Sequence, residues 1–112
     1  MGTGEGRGLG TLGPVTKKAL LRRMAREEFD EAGDWYEARR KGLGAAFAAA
    51  VQQTFERIAA QPQRSPIALR DIRKALVPGY PYCVYFRERP ATILVLAVFH
   101  SSRDPALWQS RC

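Results

Sequence analysis

The fold is decided by residues 24–40, MAREEFDEAGDWYEARR. Apolar side chains recur in this stretch at intervals of four and three residues: Ala25, Phe29, Ala32 and Tyr36. Such spacing places them on one face of a helix, with the charged residues on its other sides. Carboxylates early in the stretch and arginines at its end also suit the helix dipole. The pattern predicts an amphipathic helix that stops at Gly42.

A second helix is predicted after the break Gly42-Leu43-Gly44, and it ends before Pro62, which cannot continue a helix. Its apolar residues again recur at helical spacing: Leu43, Phe47, Val51, Phe55 and Ile58. Two amphipathic helices joined this tightly form an antiparallel hairpin. Neither apolar face can be left in water, so the downstream chain must cover them.

Three downstream segments rich in Val, Ile, Leu, Tyr and Phe predict strands at residues 72–77, 82–87 and 92–100. Pro78-Gly79 predicts a type II turn, because Pro presets the first central dihedral and Gly permits the positive second one. The last strand is apolar on both faces, which predicts a central place in the sheet.

Residues 17–23 fit a short first strand, although a helix fits them nearly as well. We therefore expect an α+β, two-layer fold of order (β)-α-α-β-β-β, with the helical hairpin packed on one face of an antiparallel sheet. The 112 residues allow one such domain, at residues 17–112. Residues 1–16 hold six of the ten glycines and almost no large apolar side chain, which predicts a disordered extension.

Composition excludes several classes of protein. No apolar run is long enough to span a membrane, and the glycine-rich start lacks the apolar stretch of a signal peptide, so we expect a cytoplasmic protein without a membrane partner. The two cysteines and the single histidine do not form a metal-binding pattern, and no phosphate-binding loop or nucleophile elbow is present. We expect no metal and no cofactor, and Cys83 is predicted to be a small core residue.

Positive charge is concentrated in the second half of the chain. The net charge of the whole chain is +7, and residues 64–112 carry eight basic side chains against three acidic ones. These basic residues fall on the predicted sheet and the segment after it: Arg64, Arg70, Arg73, Lys74, Arg87, Arg89, Arg103 and Arg111. They suit contacts with phosphates or carboxylates. A solvated basic face that only keeps the protein in solution fits the composition equally well.

Some aromatic residues and the histidine have two interpretations. Trp35 and Tyr36 are predicted to pack in the core or the hairpin rather than to form a binding platform. The aromatic residues of the second strand are expected to divide between the core and the exposed sheet face, and only exposed rings could stack on a base. His100 suits acid-base work and equally suits a structural hydrogen bond to a loop.

Several motifs, in order and at matching spacing, resemble the RelE/ParE superfamily of toxins over residues 24–111. The hairpin carries Trp35-Tyr36-Glu37 and Gly42-Leu43-Gly44, the sheet carries Tyr80-Pro81-Tyr82, and the C-terminal segment carries His100-x-x-Arg103-Asp104-Pro105-x-x-Trp108. The resemblance implies the toxin of a type II toxin-antitoxin system. Its partner would be a cognate antitoxin that wraps the toxin with an acidic or amphipathic C-terminal segment, in a hetero-oligomer.

Members of this superfamily differ in their targets. The His100 to Pro105 ending and the Trp35 to Glu37 motif resemble the ParE and plasmid-stabilisation branch, which implies growth inhibition by poisoning DNA gyrase. The alternative is a RelE-like, metal-independent endoribonuclease that cleaves mRNA at the ribosome. A non-toxic nucleic-acid-binding module is a third possibility.

The resemblance also assigns residues to these functions. A nuclease would use four catalytic side chains: Arg73, Arg87, His100 and Arg103. Eight residues are expected to contact the target or the antitoxin: Arg70, Arg73, Lys74, Tyr85, Arg87, Arg89, Arg103 and Trp108.

Overall fold

The secondary structure follows the predicted order with two additions. The computed structural model describes residues 17–111, so the predicted disordered extension at residues 1–16 lies outside the described residues. The elements are β1 (Lys18–Leu21), α1 (Arg23–Arg39), α2 (Leu43–Ala60), β2 (Ile67–Leu69), β3 (Ile72–Leu76), β4 (Tyr82–Glu88), β5 (Thr92–His100) and α3 (Ala106–Gln109). A short 3₁₀ helix, Pro62–Arg64, links α2 to β2. The sequence did not predict β2 or α3.

The described strands form one five-stranded sheet in the order β1-β5-β4-β3-β2. The predicted α+β, two-layer fold is confirmed, and β5 is interior, with a neighbour on each side. The sheet is antiparallel as predicted except at β1, which pairs parallel to β5. Parallel neighbours need a long crossover connection, and here the helical hairpin and the three intervening strands supply it.

One face of the sheet carries the main core. Both helices point their apolar residues into it, as their spacing predicted: Ala25, Phe29, Ala32, Phe47, Val51, Phe55 and Ile58 are all buried. The sheet contributes Val84, Phe86 and Val95, each fully buried. Phe47 packs against several rings at once, with centroid distances of 5.0 Å to Tyr36 and 5.1 Å to Tyr82. In the described part of the chain, neither long helix combines the length and apolarity of a membrane-crossing segment.

The turn between β3 and β4 has the predicted form. Gly79 adopts a φ of 85°, in the left-handed region that favours glycine. The Tyr80 N–H donates a hydrogen bond of 3.2 Å to the Val77 carbonyl, which closes the four-residue turn.

An irregularity in the β4–β5 pairing changes which way the end of β5 faces. Tyr85 pairs with Ala97, but the next residue, Phe86, pairs with Val95, so that Leu96 is an extra residue on β5. An extra residue of this kind reverses the alternation of side chains after it. His100 consequently lies opposite Tyr82 and on the side of the sheet that carries the hairpin.

The other face of the sheet is partly covered by the C-terminal segment. Trp108 of α3 is 1% exposed and stacks on Tyr85 at a centroid distance of 3.9 Å. Both residues were expected to contact the target or the antitoxin, and the structure instead places them in a second, smaller core with Ile72, Cys83 and Phe99. The physical reason is that α3 folds back over β4, so the two rings bury each other. The predicted core position of Cys83 is confirmed.

Candidate binding site

The predicted basic residues divide between the two ends and the two faces of the sheet. Arg70 lies in the β2–β3 turn and Arg89 in the β4–β5 turn, so both are at the same end of the sheet, and both are exposed. His100 ends β5 at the opposite end, and the exposed Arg103 follows it. Lys74 is half-buried on the face away from the hairpin, opposite Tyr85 in the register. The basic residues of the second half of the chain are therefore not gathered on one surface of the sheet.

Arg73 and Arg87 are both occupied within the protein. Arg73 points toward the hairpin side, where its Nη1 donates a hydrogen bond of 2.6 Å to the Ser65 carbonyl. Arg87 is on the opposite face, with its Nε 2.9 Å from Oδ2 of Asp71. These two arginines hold the β2–β3 region in place, so neither is positioned as an uncommitted contact for a ligand.

The four proposed nuclease residues are not brought together. Arg87 pairs with Leu94, whereas His100 pairs with Tyr82, five residues back along β4. At the rise of a β-strand this separates them by about 17 Å, and they face opposite sides of the sheet. His100 and Arg103 line one depression, whose described lining includes neither Arg73 nor Arg87.

That depression is a groove of about 510 Å³ between α1 and the end of β5. We call it the α1–β5 groove. Its lining mixes aromatic, acidic and basic side chains, among them Glu28, Trp35, Tyr36, Tyr82, His100 and Arg103. Of these residues, only His100 and Arg103 were predicted from the sequence to have a functional role.

The groove exists because β1 is shorter than β5. The two strands pair only as far as Leu21 and Val95, after which the chain turns into α1 and leaves the edge of β5 without a strand neighbour. Glu28 of α1 covers part of this edge, because its Oε1 accepts a hydrogen bond of 3.1 Å from the Val98 N–H. Arg111 covers another part by donating from Nη1 to the Leu96 carbonyl at 3.2 Å.

Glu28 and Arg111 also bind each other. Two hydrogen bonds, of 3.1 Å and 2.7 Å, join the guanidinium to the carboxylate, and the two side chains are only 13% and 14% exposed. A bidentate pair of this kind is geometrically specific. It ties the C-terminal segment to α1 across the edge of β5, and its Glu28 member lines the groove. Nothing in the sequence distinguishes Glu28 from the other carboxylates of α1, so only the fold reveals its role.

His100 and the tyrosines make the groove a polar aromatic site. The ring of His100 packs edge-on to Tyr82 at 5.1 Å, and its Nδ1 lies 2.8 Å from the Ser102 hydroxyl. Burial, and then the nearby Tyr36, raise the pKa of Tyr82 above its ordinary value, with Arg103 acting in the opposite direction. Burial and the neighbouring Tyr80 likewise raise the pKa of Tyr36. Both phenols are consequently neutral hydrogen-bonding groups at neutral pH.

Trp35 departs from its prediction. It is 53% exposed at the rim of the groove, with the guanidinium of Arg39 over its ring at 4.6 Å. The buried face of α1 carries Phe29 and Ala32. Trp35 lies one residue before the next position of this face and is therefore outside it. The prediction of core packing holds only for Tyr36, which stacks on Phe47 at an interplanar angle of 26°.

The described residues do not suggest a metal centre. Within residues 17–111, no group of three or more His, Cys, Asp or Glu side chains is arranged to hold a metal ion.

Comparisons with known proteins agree with the fold. A family model described as the ParE toxin of the type II toxin-antitoxin system, parDE, matches residues 19–105. None of the curated proteins matches the chain. A solved structure titled "Chromosomal ParDE TA system from P. aeruginosa" has a similar fold, with a TM-score of 0.67 and 13% identity over 76% of this chain and 96% of that one. Because the family model covers most of the chain, this protein belongs to the ParE toxin family of type II toxin-antitoxin systems.

Proposed function

We propose that this toxin acts in the cytoplasm as a non-enzymatic poison of DNA gyrase, and that a cognate antitoxin holds it inactive in a hetero-oligomer. Growth inhibition would then result from blocked replication. The match to the ParE toxin model supports this target class. The solved structure of similar fold is titled as a ParDE system, which supports an antitoxin partner for this chain as well.

The observation that carries the choice of target is the separation of the proposed nuclease residues. Metal-independent RNA cleavage needs a proton acceptor and cationic groups positioned around one phosphate. Here Arg73 donates to a backbone carbonyl and Arg87 pairs with Asp71, on opposite faces of the sheet. This arrangement favours a binding protein over a nuclease.

Four of the expected contact residues are accessible for such binding: Arg70, Lys74, Arg89 and Arg103. They extend over both ends of the sheet, which suits a large macromolecular target better than a small ligand. We propose them as contacts to gyrase or to the antitoxin.

A second candidate function is supported by the α1–β5 groove itself. His100, Tyr82 and Arg103 line one depression, which places an acid-base group beside a guanidinium. An endoribonuclease that uses this smaller set, at the ribosome and on mRNA, is the alternative to gyrase poisoning.

One pair of assays on the purified protein separates these functions. We expect inhibition of supercoiling and accumulation of cleaved plasmid when gyrase and supercoiled DNA are present. We expect no cleavage of mRNA on translating ribosomes. RNA cleavage that disappears in His100→Ala, with no effect on gyrase, would overturn the proposal in favour of the nuclease.

The antitoxin and the toxicity are tested in cells. Expression of this chain alone should arrest growth, and co-expression of a small reading frame adjacent to its gene should restore it. A non-toxic nucleic-acid-binding module would instead leave growth unchanged, and the purified protein would bind nucleic acid in a strongly salt-dependent way.

A further inference from the structure

A second groove lies at the opposite edge of the sheet, between the end of α2 and the outer edge of β3. We call it the β3-edge groove. It has a volume of about 840 Å³, and its lining includes Arg57, Ile58, Arg64, Lys74, Leu76 and Pro78. Neither the comparisons nor the proposed contacts assign a site to this groove. Lys74 is the one proposed contact residue named in its lining.

The groove exists because β2 covers only the first part of β3. The pairing between these strands consists of Ile67 with Arg73 and Leu69 with Ile72. The Lys74 N–H then donates to the Pro66 carbonyl at 3.0 Å, and the outer edge of β3 continues past this point. The Val77 N–H donates inward to Tyr82, so by alternation the backbone of Leu76 faces outward.

Within residues 17–111, the outward-facing backbone of Leu76 is bonded by an exposed side chain. Arg57 of α2 donates from Nη2 to the Leu76 carbonyl at 3.0 Å. Arg57 is itself exposed, and the Leu76 side chain is 63% exposed, the highest value among the large apolar residues described as exposed. The groove therefore presents a short stretch of strand edge, together with an apolar side chain and an exposed guanidinium.

The charge of the groove selects its occupant. Arg57, Arg64 and Lys74 line it, and no carboxylate does. Across residues 17–111, none of these three cations forms an ion pair with an acidic side chain. The α1–β5 groove differs in this respect, because Glu28 and Glu31 line it.

We propose that the β3-edge groove binds an extended acidic peptide segment that adds to the outer edge of β3 at Leu76. Side chains alternate along such a segment, so that its apolar side chains lie on the face of Leu76 while its carboxylates, on the other face, reach Arg57 and Arg64. Arg57 exchanges the Leu76 carbonyl for a partner carboxylate. Nucleic acid fits less well, because the lining offers no aromatic ring on which a base could stack.

The inference rests on the proposed function in one respect, since the antitoxin would supply the segment. The surface itself can be tested without the antitoxin. The probe is a seven-residue peptide that alternates glutamate and leucine, titrated into the ¹⁵N-labelled full chain. The comparison probes are the same peptide with glutamine in place of glutamate, and a single-stranded DNA oligonucleotide.

We expect saturable shifts of the amide signals of Lys74 and Leu76, with little change at His100. Removing two cations in Arg57→Gln/Arg64→Gln should weaken binding about fivefold, as expected for two exposed ion pairs. The matched control Arg39→Gln/Arg40→Gln removes the same charge at the hairpin turn and should leave the affinity unchanged.

Three results would overturn the proposal. These are an absence of saturable shifts near Leu76, equal weakening by the control variant, and tighter binding of the oligonucleotide at the same amides. Gyrase inhibition is a separate measurement. A chain that binds the acidic peptide at Leu76 without affecting gyrase supports this inference while it contradicts the proposed target.

Discussion

The two faces of the sheet are covered in very different ways. On one face, two long helices and the sheet together form an extended core. On the other face, a four-residue helix covers a few residues, mainly through Trp108. The difference shows that a repeated apolar pattern builds a face from many buried side chains, whereas the cover of the other face depends on one aromatic ring and the ion pair that anchors its segment.

The largest effect is expected from Phe47→Ala, on the hairpin face. Phe47 is fully buried and contacts the rings of Phe29, Tyr36, Tyr80 and Tyr82. Its truncation should lower the free energy of unfolding by about 4 kcal/mol, measured by urea denaturation followed by circular dichroism. The half-exposed Leu107→Ala serves as the control and should cost less than about 0.5 kcal/mol. Equal losses in the two variants would contradict the assignment of the main core.

Trp108→Ala should have the next largest effect, about 3 kcal/mol, and its structural consequence should be confined to the other face. The amide signals of α3 and of Phe99 should shift, while those of Ala32 and Val51 should not. A uniform change over both faces would mean that the second core is not a separate layer.

The same variant should change the titration of Tyr85. Burial, and then Cys83, raise the pKa of the Tyr85 phenol above its ordinary value, with a hydrogen bond to Trp108 acting in the opposite direction. The folded state therefore favours the neutral phenol. The contribution of this group to the free energy of unfolding is fully present below pH 10 and is lost as the pH rises through the pKa of the folded state. Loss of the covering ring should lower the pKa of Tyr85, measured by NMR of ring-labelled tyrosine. An unchanged titration would contradict the burial of Tyr85 under α3.

The anchoring ion pair should contribute less than either aromatic ring. Glu28→Gln and Arg111→Gln should each lower the free energy of unfolding by about 2 kcal/mol, because each leaves a largely buried charge without its partner. The double variant should cost clearly less than the sum of the two, since the partners interact directly. Additive losses, measured by urea denaturation, would show that the two side chains act independently.

The smallest effect separates two glycines of the hairpin. A Cβ at Gly44 would lie 2.8 Å from the Gly33 carbonyl oxygen, whereas a Cβ at Gly33 would meet no atom within 4 Å. Gly44→Ala should therefore destabilise the fold by about 1 kcal/mol through a shift of the hairpin. Gly33→Ala should stabilise it by roughly 0.5 kcal/mol, because alanine favours a helix interior. Thermal unfolding of both variants gives the sign, and a gain in Gly44→Ala would contradict the close approach.

Much of the fold was predictable because its determinants are local. The helical spacing of residues such as Phe29 and Phe47 places both helices, and Pro78-Gly79 places a turn, without knowledge of any distant contact. The candidate site was less predictable. Arg73 and Arg87 were both predicted to lie in the sheet, but the face and the partner of each depend on the strand register. Trp35 was harder to place because it lies only one residue from a core position.

The sequence by itself determined the two amphipathic helices, the main strands and the basic character of the second half of the chain, since periodicity and composition act over a few neighbouring residues. Only the tertiary structure decided that β1 runs parallel to β5, that the extra residue Leu96 turns His100 toward the groove, and that Trp108 is buried on Tyr85. Each of these depends on contacts between residues far apart in the chain, which no local pattern records.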